Sequence, residues 1–391
     1  PRVPDDRSMS QLTRLTPEVP FPEAEGGKRL IKNYMVYGTP WPLSEDDYLC
    51  VYDEKVRNRG IYWIDRFGNK ELLYRNPAVS SLSPIPLRPR PRPPIIPDRT
   101  TQTIRSRMAN ASEDRPATVA VMNVYNSDFE WPTDTRITEL RIIQVFPKST
   151  PCDDEPRIGA GRQTNTRAIL GTVPVEADGS AYFEAPAGKE IYFQALDSTG
   201  MAVQSMRSGT YLHPGEQLTC FGCHESKHST PEPRPTEPIL AMRRAPSKIV
   251  PDVDGTNPIN YVRLIQPVLE RNCVGCHQEK KTLDLTNVIE GRYGWTRSYE
   301  NLSRKYGFYF SVAKKNLLDP IHGGSRTTAG KFGAKAAPLL EYLNETHYGV
   351  NLSEKDLHRM IVWLDANSEF YGAYENIMAQ ARGEIVYPTL E

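Results

Sequence analysis

Short runs of β-branched, aromatic and other apolar residues mark residues 34–75, in Tyr48-Leu49-Cys50-Val51-Tyr52, Gly60-Ile61-Tyr62-Trp63-Ile64 and Glu71-Leu72-Leu73-Tyr74, with Phe67-Gly68-Asn69 as a turn. The pattern predicts one sheet of short strands. A second β-region runs from Ala117–Val121 through Ile137–Phe146 to Met206. Within it Val173-Pro174-Val175 and Ala181-Tyr182-Phe183 flank the turn dipeptide Asp178-Gly179, and Ile191–Leu196 and Met201–Gln204 flank Asp197–Gly200. Strands at this pitch predict a small antiparallel sandwich. Further on the period changes: Tyr261, Val262, Ile265, Val268 and Leu269 recur at helical spacing. Ser353-Glu354-Lys355-Asp356 resembles a capping box with Asp in place of the usual Glu, opening a helix whose apolar face is Leu357, Met360, Ile361 and Leu364.

These patterns predict an α+β multidomain chain. A β-strand segment covers residues 1–83, a Pro/Arg-rich linker 84–116, a β-rich middle domain 117–250 and a small helical domain 251–391. The Pro84–Pro97 stretch carries arginines 88, 90 and 92 between prolines, which fits an extended, solvated strap better than a strand or helix.

Composition narrows the partners. Lys+Arg and Asp+Glu balance at 48 each, so bulk charge gives no case for nucleic acid or an anionic membrane. No apolar run approaches the ~18–20 residues of a membrane span, and no signal peptide is visible.

The candidate chemistry lies in two pentapeptides, Cys220-Phe221-Gly222-Cys223-His224 and Cys273-Val274-Gly275-Cys276-His277. Two thiols three positions apart can each form a thioether to a porphyrin vinyl group, and the next residue offers an imidazole to the iron. Each pentapeptide therefore reads as an attachment site for a c-type haem, giving two covalently bound haems. A zinc ribbon would separate its Cys pairs by roughly 15–20 residues, far less than here. Covalent haem attachment takes place outside the bacterial cytoplasm, so an exported, periplasmic or extracellular protein is expected. Cys50 and Cys152 read as lone thiols.

For the second haem His277 is the proximal candidate, and the opposite ligand is sought among His322, His347, His358 and Met360. His347 is favoured because it sits in a loop between an expected Leu339–Leu343 helix and the capped one, with His322 as runner-up. Bis-imidazole ligation suits electron transfer. Around the first haem, His224-Glu225-Ser226-Lys227-His228 spells the zinc-protease pattern, but the prolines that follow do not allow the helix it needs. His228 is left as a candidate beside the first haem, as a ligand to iron or to a nearby metal, or as a surface residue. Tyr293, Trp295, Tyr299, Tyr306, Phe308, Tyr309 and Phe310 read as core in preference to porphyrin packing.

With these residues in view, positions 117–391 resemble the middle and C-terminal domains of the hydrazine synthase alpha subunit family. The resemblance is carried by Gly171-Thr172-Val173-Pro174-Val175, Gly179-Ser180-Ala181-Tyr182-Phe183, the Phe193–Gln204 hairpin, Pro214-Gly215-Glu216, His347-Tyr348-Gly349-Val350 and Trp363-Leu364-Asp365. It implies a first haem in the middle domain, a bis-histidine haem in a cytochrome c-like C-terminal domain, and residues 34–75 as the last blade of a β-propeller. One blade cannot close a propeller, so a longer chain or a partner chain would complete it. In that family the first haem is catalytic, with a tyrosine four residues past the motif histidine on the iron and that histidine turned to a zinc ion. Here the corresponding residue is His228, a neutral imidazole in place of a charged phenolate.

Two functions are therefore expected in competition. The first is an exported dihaem c-type cytochrome passing electrons between its haems and a redox partner. The alternative is a haem-dependent oxidoreductase similar to hydrazine synthase, acting on nitric oxide or ammonia at the first haem. A third, structural role would dock the cytochrome domain onto other subunits of a complex.

Overall fold

The computed structural model describes residues 15, 16, 18, 19 and 36–89, then 115–224 without 153 and 163, 238–310 without 291 and 292, and 327–389. The chain divides into two compact units, Pro1–Ile96 and Pro97–Glu391.

In the first unit β1 (Tyr37–Pro42), β2 (Asp47–Tyr52), β3 (Gly60–Asp65) and β4 (Lys70–Tyr74) form an antiparallel meander in chain order. The predicted turn closes β3 onto β4, where the Asp65 carboxylate accepts hydrogen bonds from the backbone N–H groups of Phe67 and Asn69, each at 2.9 Å. Cys50 and Val51 are buried in β2, and the Lys70 ammonium lies 3.7 Å from the ring centre of Tyr52. The sheet does not close on itself among the described residues. Of the Pro/Arg strap, only residues up to 89 are described, so arginines 90 and 92 lie outside the described residues.

The second unit is layered. A three-stranded sheet has the order β12 (Gln217–Cys220), β5 (Ala117–Val121), β8 (Ala181–Ala185). A five-stranded sheet runs β10 (Ala202–Ser205), β9 (Glu190–Asp197), β6 (Ile137–Val145), β7 (Arg167–Pro174), with β11 (Thr210–Tyr211) also on β9. Their facing side chains make one core that includes Val119, Val121, Phe183, Leu140, Ile142, Phe193 and Ala195. One pairing departs from the antiparallel expectation, since β12 runs parallel to β5. The Asp178-Gly179 turn also joins different sheets, carrying the chain from β7 in one to β8 in the other.

The reverse face of the five-stranded sheet is equally buried. Ile143, Ile169 and Tyr192 join a second core with helices α1 (Tyr261–Leu264), α2 (Gln266–Asn272), α4 (Arg297–Ser303), α5 (Glu354–Asp365) and α6 (Ile377–Ala381). Of the seven aromatics read as core, Trp295 and Tyr299 are buried there, ring against ring with Tyr261, Trp363 and Phe370, whereas Tyr293, Tyr306, Phe308, Tyr309 and Phe310 are half-buried. Helix α3 (Val274–Glu279) follows α2. Among the described residues no helix is long and apolar enough to cross a membrane.

A candidate pair of haem clefts

The second motif is delivered by helical backbone, as its spacing predicts. Asn260 caps α1, its side chain accepting from the Arg263 N–H at 3.1 Å. Pro267 lacks an N–H and interrupts the helix, so α1 and α2 are separate. The carbonyl of Arg263 that this proline cannot serve accepts instead from the Arg359 guanidinium at 3.2 Å. Cys273 then caps α3, and His277 stands within it. The His277 Nδ1 lies 3.0 Å from the Leu283 carbonyl oxygen. A carbonyl only accepts, so Nδ1 carries the proton and Nε2 keeps a free lone pair.

That lone pair belongs to a cavity of about 720 Å³ lined by Cys273, Cys276, His277 and His347 together with Leu269, Leu302, Leu339, Leu343, Met360, Tyr306 and Tyr342. The rings of His277 and His347 stand 6.1 Å apart, centre to centre, inclined at 48°. His347 is placed by a turn after the 3-10 segment Pro338–Tyr342, where an α-helix was expected, and its N–H donates to Asn344 O at 3.0 Å. The other candidates separate. His358 turns away to Asp252, at 2.7 Å, Met360 lines the cavity, and His322 lies outside the described residues.

The first motif has a different scaffold. It leaves the end of β12 as loop and is laced to residues 122–128: Met122 N–H donates to Cys220 O at 2.9 Å and Cys223 N–H to Asn126 O at 3.1 Å. The contact is so close that a Cβ on Gly222 would come within 2.0 Å of the Asn126 oxygen, whereas Gly275 of the second motif faces open space. His224 Nδ1 lies 2.6 Å from the Asp128 carboxylate, in a close contact not aligned as a straight hydrogen bond. The cleft, about 260 Å³, is lined by Cys220, Cys223 and His224 with Val121, Phe129, Leu140, Phe193, Met206 and Arg207. His228 lies outside the described residues. Among those described, no three or more His, Cys, Asp or Glu side chains converge as a metal site.

Thiol chemistry separates the motifs from a redox dithiol. Burial, with the neighbouring Cys220, pushes the Cys223 thiol up to about 12, and burial with the neighbouring Cys276 pushes Cys273 up to about 11. Reactive dithiols and zinc thiolates need the opposite shift. Two thiols and one imidazole at an apolar cavity fit a covalently held porphyrin.

Sequence reasoning missed Asp128, Phe129, Met206, Arg207 and the Leu283 carbonyl. Only the turn-forming Asn126-Ser127-Asp128 run hinted at a loop, and Asn126 meets Phe221 across 95 positions of chain.

Fold and clefts together define a sheet-rich α+β protein with paired Cys-x-x-Cys-His sites, one on a strand end and one on a helix. Residues 135–225 match the family model of the hydrazine synthase alpha subunit middle domain. The chain is 24% identical over 444 residues to hydrazine synthase subunit alpha of Kuenenia stuttgartiensis, covering 88% of this chain and 52% of that protein. Thus it spans about half the length of the curated relative it matches. The solved Kuenenia stuttgartiensis hydrazine synthase has a similar fold, with a TM-score of 0.54 at 17% identity, covering 86% of this chain and 55% of that one.

Proposed function

We propose that this chain is an exported dihaem c-type cytochrome that moves electrons between its two clefts and a redox partner. The observation carrying this reading is the imidazole pair in the second cleft, 6.1 Å apart. A metal bound between two imidazoles lies about 2 Å from each nitrogen, and each nitrogen lies roughly 1 Å from its ring centre, which sets the centres about 6 Å apart. Bound haem supplies one-electron oxidation and reduction.

The chain's residues do the rest. Cys273 and Cys276 would supply the thioether sulfurs, and Leu283 holds His277 in the tautomer that would offer Nε2. His347 would offer the second imidazole. Leu269, Leu302, Leu339 and Met360 exclude water, which lowers the reorganisation that accompanies a charge change. In the first cleft Cys220 and Cys223 take the same role, and Asp128 orients His224.

A second reading has its own support. Among the described residues lining the first cleft, Met206 is the only further thioether or imidazole beside His224. A first-haem position that Met206 leaves open would accept a small nitrogen species such as nitric oxide or ammonia, in line with the likeness to hydrazine synthase. Other subunits or a partner chain would then wall the site, and the meander of the first unit would serve as one propeller blade among several.

Protein purified from a haem-maturing host, denatured and extracted with acetone, should retain peroxidase-active haem and exceed the polypeptide mass by two haems. Bare mass overturns the proposal. Low-spin spectra unchanged by nitric oxide favour the relay, and rapid nitric oxide binding at the first haem favours the enzyme.

A further inference from the structure

Arg207 is the one side chain of permanent charge lining the first cleft, and no Asp or Glu is among the described residues that line it. Its guanidinium lies 4.1 Å from the ring centre of Phe310, and it forms no ion pair with a described residue. Partial desolvation, with no opposing carboxylate, holds its pKa below the ordinary arginine value. The second cleft differs. There Arg271 is committed to Asp356 at 2.5 Å, and Lys280 lies 3.5 Å from the ring centre of Tyr348. An arginine fork over an aromatic face, at the edge of an apolar cleft, is built for a planar carboxylate.

Two hydroxyls stand beside it, those of Ser205 and Ser208, both lining the same cleft. Ser205 is buried, its hydroxyl donating to the Met206 carbonyl at 3.2 Å and accepting from Gln194 Nε2 at 3.5 Å, so Ser208 is the less committed hydroxyl. Arg207 itself is exposed, so its charge meets the cleft from the solvent side. The lining thus combines thiols, His224 and apolar side chains with a cation and hydroxyls. A porphyrin carries the complements of both, with vinyl groups on one edge and two carboxylates on the other.

We propose that Arg207, with Ser208 beside it, is the carboxylate seat of the first cleft and takes a propionate of the haem attached at Cys220 and Cys223. This rests on the haem reading of that cleft. A free oxyanion such as nitrite has related chemistry and is the competing occupant. The seat has an electrical consequence: a cation fixed at the haem edge disfavours the more positive ferric state and raises the midpoint potential of that haem.

The test is spectroelectrochemical titration of holoprotein carrying Arg207→Gln, Arg207→Lys or neither. In the Gln variant the first haem's midpoint potential should fall and the second haem's stay unchanged, with the Lys variant restoring most of the difference. Covalent haem count by mass is measured on each sample. A wild-type protein with no haem at the first motif defeats the functional reading itself. Two covalent haems with both potentials unmoved in Arg207→Gln overturn the seat alone. Unmoved potentials with at least tenfold weaker nitrite binding, followed by the first haem's absorption, assign Arg207 to a free oxyanion and likewise reject the propionate.

Discussion

The Asp128 carboxylate, 2.6 Å from Nδ1 of His224, makes that imidazole a stronger electron donor than a histidine facing a neutral carbonyl. His277, whose Nδ1 faces the Leu283 oxygen at 3.0 Å, lacks that charge. The two motif histidines share a motif but not a partner, so if both motifs hold haem as proposed, the two irons should differ in potential. Asp128→Asn should raise the midpoint potential of the first haem and leave the second in place, as read by redox titration of the two Soret components. At the second cleft, His347→Ala should convert a low-spin haem to a high-spin one that binds carbon monoxide, while both thioethers survive. A low-spin spectrum in that variant would hand the distal role to another side chain, Met360 being the nearest by lining. The motif residues and His347 were readable because their roles are written as residue types at fixed spacing or in a loop. Asp128 and Leu283 were not, because a carboxylate or carbonyl partner is assigned by folding alone.

Helix α5 shows what a cap contributes and what a neighbouring element borrows. Ser353 accepts from the Asp356 N–H at 3.1 Å, which is the half of the capping box that the sequence predicts. The Asp356 side chain is drawn sideways to α2, where Arg271 Nη2 at 2.5 Å and Asn272 Nδ2 at 3.3 Å donate to it. Ser353→Ala should therefore cost about 1 kcal/mol in denaturant unfolding. Burial alone would raise the Asp356 carboxyl, but the hydrogen bonds from Arg271 and Asn272 outweigh it and hold it below the ordinary carboxylate value. Its folded pKa being depressed, the stabilisation is present above the unfolded value of about 4 and is lost as pH falls through the folded one. Asp356→Asn should accordingly be less stable at neutral pH and flatten the acid limb of the stability curve between about pH 5 and 2. Wild-type slope in that variant would remove Asp356 from the account. The same helix marks where the sequence reading stopped short. Its apolar stripe at Leu357, Met360, Ile361 and Leu364 was legible, yet Arg359, Val362, Trp363 and Asp365 are buried as well, because helix α1 receives Arg359, the aromatic rings of Tyr261 and Tyr299 receive Trp363, and the sheet, through Arg141, covers Asp365.

That covering sheet governs the architecture of the second unit. Strands β6 and β9 are buried on both faces, and the alternation rule for a two-layer sandwich does not anticipate a third layer. Leu140, Ile142, Phe193 and Ala195 serve the sheet-to-sheet core, while Ile143 and Tyr192 serve the helices. Between the sheet and the helices lies one fully buried charge pair, Arg141 on β6 and Asp365 on α5, at 2.8 Å with neither side chain exposed. Around it Gln194 accepts from Arg141 and donates to the Asp365 carbonyl, and the N–H groups of Ala202 and Ala334 complete the carboxylate's bonds. Each cleft has a stake in this contact, since β9 carries Phe193 into the first and α5 carries Met360 into the second. Removing one partner leaves a bare charge in the interior, so Asp365→Ala should cost about 3–5 kcal/mol. Replacing both by apolar side chains, as in Arg141→Met with Asp365→Leu, should recover much of that loss, because the desolvation of two charges is no longer required. Guanidinium unfolding of the apo chain reads the stability of all three proteins. Holoprotein spectra then report whether both haem environments loosen together in the single variant. If Asp365→Ala unfolds at the wild-type midpoint, this ion pair does not tie the sheet that supports the first cleft to the helix that lines the second.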